Sequence, residues 1–262
     1  MRIYYLGLSF NFDGRKRRMS KDFNAKKVCE DIINWIREYF DKQPGAKGAI
    51  IGISGGKDST IVAKLLAEAL GKDRVFGVLM PNGEQKDIED SLRVVELIGI
   101  PYKIVNIEKA YKGLLEAIAE ENLSDEAKIN MAPRLRMTTL YAMAANMHYR
   151  VCGTGNRSEA FIGYTTKWGD SAYDFNPIGN LTTEEVIAIG DSLGLLYELV
   201  HKTPSDGLSG KSDEDKLGFT YKQVNDYMEK GSCGDKEIDK KIRLKHEYNK
   251  HKQTLPPKFQ LK

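Results

Sequence analysis

Four short apolar runs, each closing on a turn, are separated by stretches whose apolar residues recur at helical spacing. The runs are "GAIIGI" (residues 48–53), "RVFGVLM" (74–80), "YKIVNI" (102–107) and "YRVCGTG" (149–155). Between and around them, Val28, Ile32, Ile36 and Tyr39 recur over residues 26–40, and Ile61, Val62, Leu65, Leu66 and Ala69 give a helix stopped near Gly71. Ile88, Leu92, Val95 and Leu97 predict a further helix, and others are predicted over 109–121 and from Pro133 to Met147. Val186, Ile189, Leu193 and Leu195 mark another helix after Gly179, and the charged tail from Asp235 also reads as helical. Strand and helix in alternation imply a doubly wound, mostly parallel α/β sheet with helices on both faces, Rossmann-like and in one domain. A chain of 262 residues with 41% hydrophobic side chains can bury one such core. In sheets of this kind a ligand sits beyond the carboxyl ends of the strands.

Several function classes are disfavoured by simple counts. The formal net charge of +3 is mild, suits an anionic small molecule as well as RNA, and decides little. Cys29, Cys152 and Cys233 are odd in number, far apart and without a C-x-x-C, which argues against a zinc ribbon, a redox pair or a secreted disulfide framework and favours a reducing cytoplasm. No run approaches the ~18 apolar residues of a membrane helix. At the start, "MRIYYLGLSFNFDGRKRR" has its apolar part before its charges, the reverse of a signal peptide. Residues 1–18 are expected to be a disordered extension whose removal leaves activity intact. The domain proper then spans 19–262, its first helix capped by Asp22 or Asn24. The polar segment "HKTPSDGLSGKSDEDKLG" (201–218) is too long for a plain connection and reads as either a functional lid or a disordered stretch.

The segment "AIIGISGGKDST" (49–60) superficially suggests a P-loop, G-x-x-x-x-G-K-[ST]. Ile51 stands where the first glycine belongs, and Asp58 follows Lys57 where Ser or Thr is required. A strand, then Ser54-Gly55-Gly56, then a helix beginning near Ser59 still makes a concave row of backbone N–H groups at a positive helix end. Ser54 and Ser59 add hydroxyl donors. A carboxylate repels phosphate, so the natural use of Asp58 is to hold Mg²⁺ bridging carboxylate and phosphate oxygens.

"SGGKDS" resembles the pyrophosphate loop of the N-type ATP pyrophosphatases, which adenylate an oxygen, release pyrophosphate and let a nucleophile displace AMP. Four further segments are similar to one member group, the NH3-dependent NAD synthetases. They are "NMAPRLRMTTLYAMA" (130–144), "GTGNRSEAFIGYTTKWGDSAYDFNPIGNLT" (153–182), "KTPSDGLSGKSDEDKLGFTYKQVNDYM" (202–228) and "HKQTLPPKF" (251–259). The resemblance runs in order from Met19 to Phe259. It implies the adenine nucleotide α-hydrolase-like fold and ammonia-dependent amidation of nicotinic acid adenine dinucleotide. It also implies a homodimer whose substrate site is completed across the interface. By resemblance, Asp58 and Glu159 hold Mg²⁺. Gly52, Ile53, Ser54, Gly55, Gly56, Lys57, Asp58, Ser59, Met80, Thr154, Thr183 and Ser205 surround ATP. Arg134, Lys167, Asp174, His251 and Lys252 hold the dinucleotide. Asp170 lies by the ammonia position, where it stabilises ammonium or accepts its proton, and it joins Asp58 and Lys167 as a catalytic group.

Two positions depart from the family pattern. Thr183 stands where a phosphate-facing lysine is general, so that Lys57, Lys202 or Lys211 supplies the charge or ATP binds more weakly. Gln253 replaces the arginine of the terminal H-K-R. A Thr183→Lys variant is expected to bind ATP no worse. The nitrilase-like amidase domain of glutamine-dependent relatives has no counterpart here, so free ammonia, or ammonia delivered by a separate partner, is the expected nitrogen source. Two alternatives are weighed against this reading. A tRNA-modifying pyrophosphatase needs catalytic cysteines and a basic RNA surface. A non-catalytic nucleotide-binding module has no need for Glu159, Lys167 and Asp170 together.

Overall fold

A computed structural model describes residues 23–84, 88–202 and 212–259. The proposed extension, Ser205 and Lys211 lie outside the described residues. The chain opens with α1 (Ala25–Asp41), capped by the Asn24 side chain accepting from Lys27 N–H. Then follow β1 (Gly48–Gly52), α2 (Lys57–Leu70), β2 (Val75–Leu79), α3 (Ile88–Ile98), β3 (Tyr102–Ile104), α4 (Glu108–Ile118), α5 (Asp125–Met147) and β4 (Tyr149–Val151). The rest is helical: α6 (Arg157–Ile162), α7 (Thr183–Ser192), α8 (Tyr197–Val200), α9 (Asp213–Leu217), α10 (Tyr221–Lys230) and α11 (Lys236–Asn249).

All four strands run parallel in the order β3-β2-β1-β4. Residues of β1 alternate between two cores, as the two-residue period of a strand requires. Ala49 and Ile51 join Ile36, Leu65, Val94 and Ile189 on one face, while Ile50 joins Val78, Leu140 and Val151 on the other. A third cluster, with Ile162, Leu217, Val224 and Ile242, binds α6, α9, α10 and α11 together. From β1 the chain turns to β2 on one side, whereas β4 pairs on the other. The carboxyl ends of β1 and β4 therefore diverge, which makes the topological switch point where open α/β sheets take ligands.

Two differences from the sequence reading have physical causes. The long helix begins at Asp125 rather than after Pro133, because Ser124 caps it through Ala127 N–H. Pro133 sits inside it at the loss of one backbone hydrogen bond, and its ring is used as packing: a Cβ on Gly169 would stand 2.9 Å from Pro133 Cβ. The helix after the glycine loop begins at Lys57, not near Ser59, with Gly56 as its N-cap.

Gly163 closes α6 in the left-handed region (φ 66°), and a Cβ there would lie 2.1 Å from Cβ of Asn249 in α11. Gly163→Ala is expected to lower stability by about 2–3 kcal/mol, measurable by chemical denaturation. A midpoint equal to wild type would show that α11 can give way.

Candidate active site

The glycine loop is held by its own serines. Ser54 Oγ accepts from Gly56 N–H at 3.2 Å and lies 3.0 Å from Ser59 Oγ, which donates to Gly56 C=O at 3.1 Å. Gly55 has φ 74°, and a Cβ there would approach Asp90 Cβ to 2.9 Å and Ser91 N to 3.0 Å. Only glycine lets the loop lie this close to α3.

A cavity of about 410 Å³ opens at the switch point, within the size range of small-ligand sites. Its wall includes Gly52, Ile53, Ser54, Gly56, Lys57 and Asp58 from β1 and its loop, Met80 after β2, and Thr154, Glu159 and Asp170 beyond β4. Gly55, Ser59 and Thr183 are not on that wall. Thr183 is 7% exposed; its N–H donates to Ser158 Oγ at 3.0 Å and its hydroxyl donates to Asn156 Oδ1 at 3.4 Å. The structure thus places Thr183 behind the site rather than on it.

Asn156 organises the acidic end. Fully buried, it caps α6, its Oδ1 accepting from Ser158 N–H at 3.0 Å and Glu159 N–H at 3.1 Å. Glu159 Oε2 returns the bond by accepting from Asn156 N–H at 3.0 Å, completing a capping box. The Asn156 amide also donates to Asp58 Oδ1 at 3.3 Å. Asp58 Oδ2 accepts from Lys57 Nζ at 2.8 Å. Enclosure by protein, reinforced by the Asp58 charge, pushes the Glu159 carboxyl up to about 8, with Lys57 partly opposing this. Burial works against the Lys57 charge, but Asp58, Glu159 and Asp213 outweigh it and the ammonium is held above its ordinary range. Two carboxylates that resist joint ionisation, with oxygens beside a phosphate-shaped loop, have the chemistry of a hard divalent-cation site. Mg²⁺ commonly takes only one or two carboxylates, with substrate phosphates and water completing its shell. The donor set fits that ion.

Asp170 also lines the cavity. Its Oδ1 accepts from Thr166 N–H at 2.7 Å and its Oδ2 accepts from Thr165 Oγ1 at 3.0 Å. Desolvation raises its carboxyl above the ordinary range, although those hydrogen bonds and Lys252 pull the other way.

None of the five residues read as dinucleotide ligands is on the cavity wall, but hydrogen bonds bring four of them together. Arg134 Nε donates to Lys167 C=O at 3.2 Å, Lys167 Nζ donates to His251 C=O at 2.8 Å, and Lys252 Nζ donates to the Gly163 and Thr165 carbonyls at 2.9 Å each. Asp174 stands apart: its Oδ2 accepts from Val151 N–H at 2.8 Å, beside β4, and Tyr141 OH donates to its Oδ1 at 3.4 Å.

The cavity wall also holds Lys202, one of the three lysines expected to supply charge, and Arg136, Ser91 and Asp213, which had no predicted role there. Arg136 Nε donates to Met80 C=O at 3.0 Å, and burial lowers its guanidinium from the ordinary value. Residues two apart on a helix point in different directions, so Arg134 and Arg136 need not share a role. The capping-box signature N-x-x-E at 156–159 could have singled out Asn156 from sequence.

Comparison with known proteins agrees with this geometry. A family model described as NAD synthase matches residues 28–256. The NH(3)-dependent NAD(+) synthetase of Carboxydothermus hydrogenoformans is 38% identical over 89% of this chain and 97% of its own length. That of Pyrococcus horikoshii is 44% identical over 77% of each chain. Among solved structures, the NMN synthetase of Francisella tularensis superimposes with a TM-score of 0.84 at 32% identity, covering 92% of this chain and all of that one. On the family model that spans residues 28–256 and on these identities, the chain belongs to the NAD synthase family.

Proposed function

We propose that the protein joins ammonia to the carboxylate of nicotinic acid adenine dinucleotide, consuming ATP and releasing AMP and pyrophosphate. The observation that carries this is the pairing of Asp58 with Glu159 through Asn156, beside a glycine loop at the switch-point cavity. When bound, Mg²⁺ would neutralise phosphate oxygens and favour departure of pyrophosphate. Asp58 and Glu159 would hold it, and the backbone N–H groups and hydroxyls of the 54–59 loop seat the phosphates. Arg136, beside Met80, adds a fixed positive charge on the cavity wall. The Arg134–Lys167–His251–Lys252 rim receives the anionic dinucleotide, bringing its nicotinate carboxylate into line with the α-phosphorus. A carboxylate oxygen bonds to that phosphorus as the bond to pyrophosphate breaks. Ammonia then attacks the carbonyl carbon, AMP departs, and Asp170 accepts the proton lost by nitrogen.

With ATP, Mg²⁺, ammonium and the deamidated dinucleotide, the products should be NAD, AMP and pyrophosphate. Nicotinic acid mononucleotide, whose amide is NMN, belongs in the same assay because of the Francisella tularensis relative. Preference for it would move the substrate assignment and leave the chemistry intact, whereas ADP and phosphate would remove the proposal.

The tRNA-modifying alternative is disfavoured because Cys152 is buried in the cavity wall and burial holds its thiol well above the ordinary value, the opposite of a nucleophile. A homodimer is supported by uncovered apolar side chains: Tyr102 and Ile104 on the edge strand β3, Leu114 and Ile118 on α4, and Ile129 on α5. Among the described residues no helix is long and apolar enough to cross a membrane, and the unpaired cysteines suit a reducing, cytoplasmic setting.

The Glu159 shift predicts a pH effect on the chelated enzyme. A carboxyl at about 8 when folded, against an ordinary 4.5, keeps a proton that the unfolded chain loses. Stability therefore falls as pH rises between those values. Melting temperature should decline more steeply with pH in wild type than in Glu159→Gln, and Mg²⁺ with ATP should flatten the difference. Parallel slopes without metal would contradict the assignment.

A further inference from the structure

Lys57 opens α2, where the helix dipole disfavours a cation, and it is only 4% exposed. A buried ammonium in such a place needs compensating negative charge. It is found in an acidic group on the cavity wall. Asp58 Oδ2 accepts a hydrogen bond from Lys57 Nζ at 2.8 Å, and Glu159 and Asp213 add their fields. Asp213, itself buried, comes from the start of α9, and Tyr164 OH donates to its Oδ1 at 3.1 Å. The other charged groups on the cavity wall have partners elsewhere. Asp170 is held by Thr165 and Thr166, Arg136 by Met80 C=O, and Lys202 Nζ lies 2.5 Å from Asp90.

We infer that Lys57 is a built-in cation of this acidic group: its ammonium occupies Asp58 Oδ2, so that a single divalent ion is met by Asp58 Oδ1 and Glu159, the two carboxylates that Asn156 orients. Lys57 is thus a positioning residue. It fixes which oxygen of Asp58 faces the metal, and it weakens metal binding until a nucleotide contributes its phosphates. The metal is held tightly only together with ATP, which couples the two ligands.

This inference rests on the metal-site reading of Asp58 and Glu159, and the test separates the two. Binding of Mn²⁺ alone, without nucleotide, is measured by the electron paramagnetic resonance signal of the free ion. Wild type, Lys57→Gln, Lys57→Arg and Asp58→Asn are compared, with Lys57→Met as a second neutral variant that keeps the buried stem. Removing one positive charge a few ångströms from the metal should tighten Mn²⁺ binding by about 10-fold or more. Lys57→Arg should remain near wild type. Adding an ATP analogue should improve Mn²⁺ affinity much more in wild type than in the neutral variants. Equal Mn²⁺ affinity in wild type and both neutral variants, with Asp58→Asn weaker than all of them, overturns the role of Lys57 and leaves the metal site standing. Unchanged Mn²⁺ binding in Asp58→Asn overturns the metal site itself. Weaker analogue binding in the neutral variants, with Mn²⁺ binding alone unchanged, makes Lys57 a phosphate ligand and also overturns the inference.

Discussion

Asp58→Asn is expected to lower the rate of pyrophosphate release by on the order of 10³-fold or more, while the melting temperature moves by only a few degrees. The loss follows from the electrostatics of phosphoryl transfer. The transition state spreads negative charge over phosphate oxygens, and a divalent ion tied to a carboxylate is the main means of stabilising it here. The small structural cost follows from the coupling of Asp58 to Glu159. Asp58 is one of the charges that hold the Glu159 proton in place. Once it is gone, Glu159 ionises more readily and takes over the balancing of the Lys57 ammonium. Exchange of labelled pyrophosphate into ATP, beside a thermal melt, checks both halves. A variant that unfolds near room temperature would show that Asp58 is chiefly structural.

Asp170→Asn separates the second half-reaction from the first. Its carboxyl is held by Thr166 N–H and the Thr165 hydroxyl at a cavity wall, and an amide can keep one of those acceptor bonds. The fold should lose about 1 kcal/mol. An amide cannot accept the proton from attacking ammonia, so NAD formation should fall by about 10²–10³-fold. Adenylation does not need that proton transfer, so pyrophosphate exchange should persist. Equal loss of exchange and of NAD formation would place Asp170 in the adenylation step instead.

The sheet and the loop were legible in the sequence because they are local patterns. Each β-strand is a short apolar run, and the 54–59 turn follows from Ser-Gly-Gly between strand and helix. Periodicity could not reveal that Pro133 lies within a helix, since the Gly169 packing that accommodates it comes from a distant segment. Nor could it show Thr183 turned away from the cavity. That orientation depends on Asn156 and Ser158, contributed by a different helix start. The tail posed the same difficulty: Lys252 meets the carbonyls of Gly163 and Thr165, a contact between segments almost ninety residues apart. Residues on one local motif were thus readable, whereas those assembled from several elements required the fold.

The claim that the loop serves adenylation of a carboxylate is tested most directly by following an oxygen atom. Nicotinic acid adenine dinucleotide labelled with ¹⁸O in its nicotinate carboxylate is converted with ATP, Mg²⁺ and ammonium, and the AMP is examined by mass spectrometry. One labelled oxygen per AMP is the predicted result, since the carboxylate oxygen bonds to the α-phosphorus and leaves with it. Unlabelled AMP, or label in inorganic phosphate, would contradict the account.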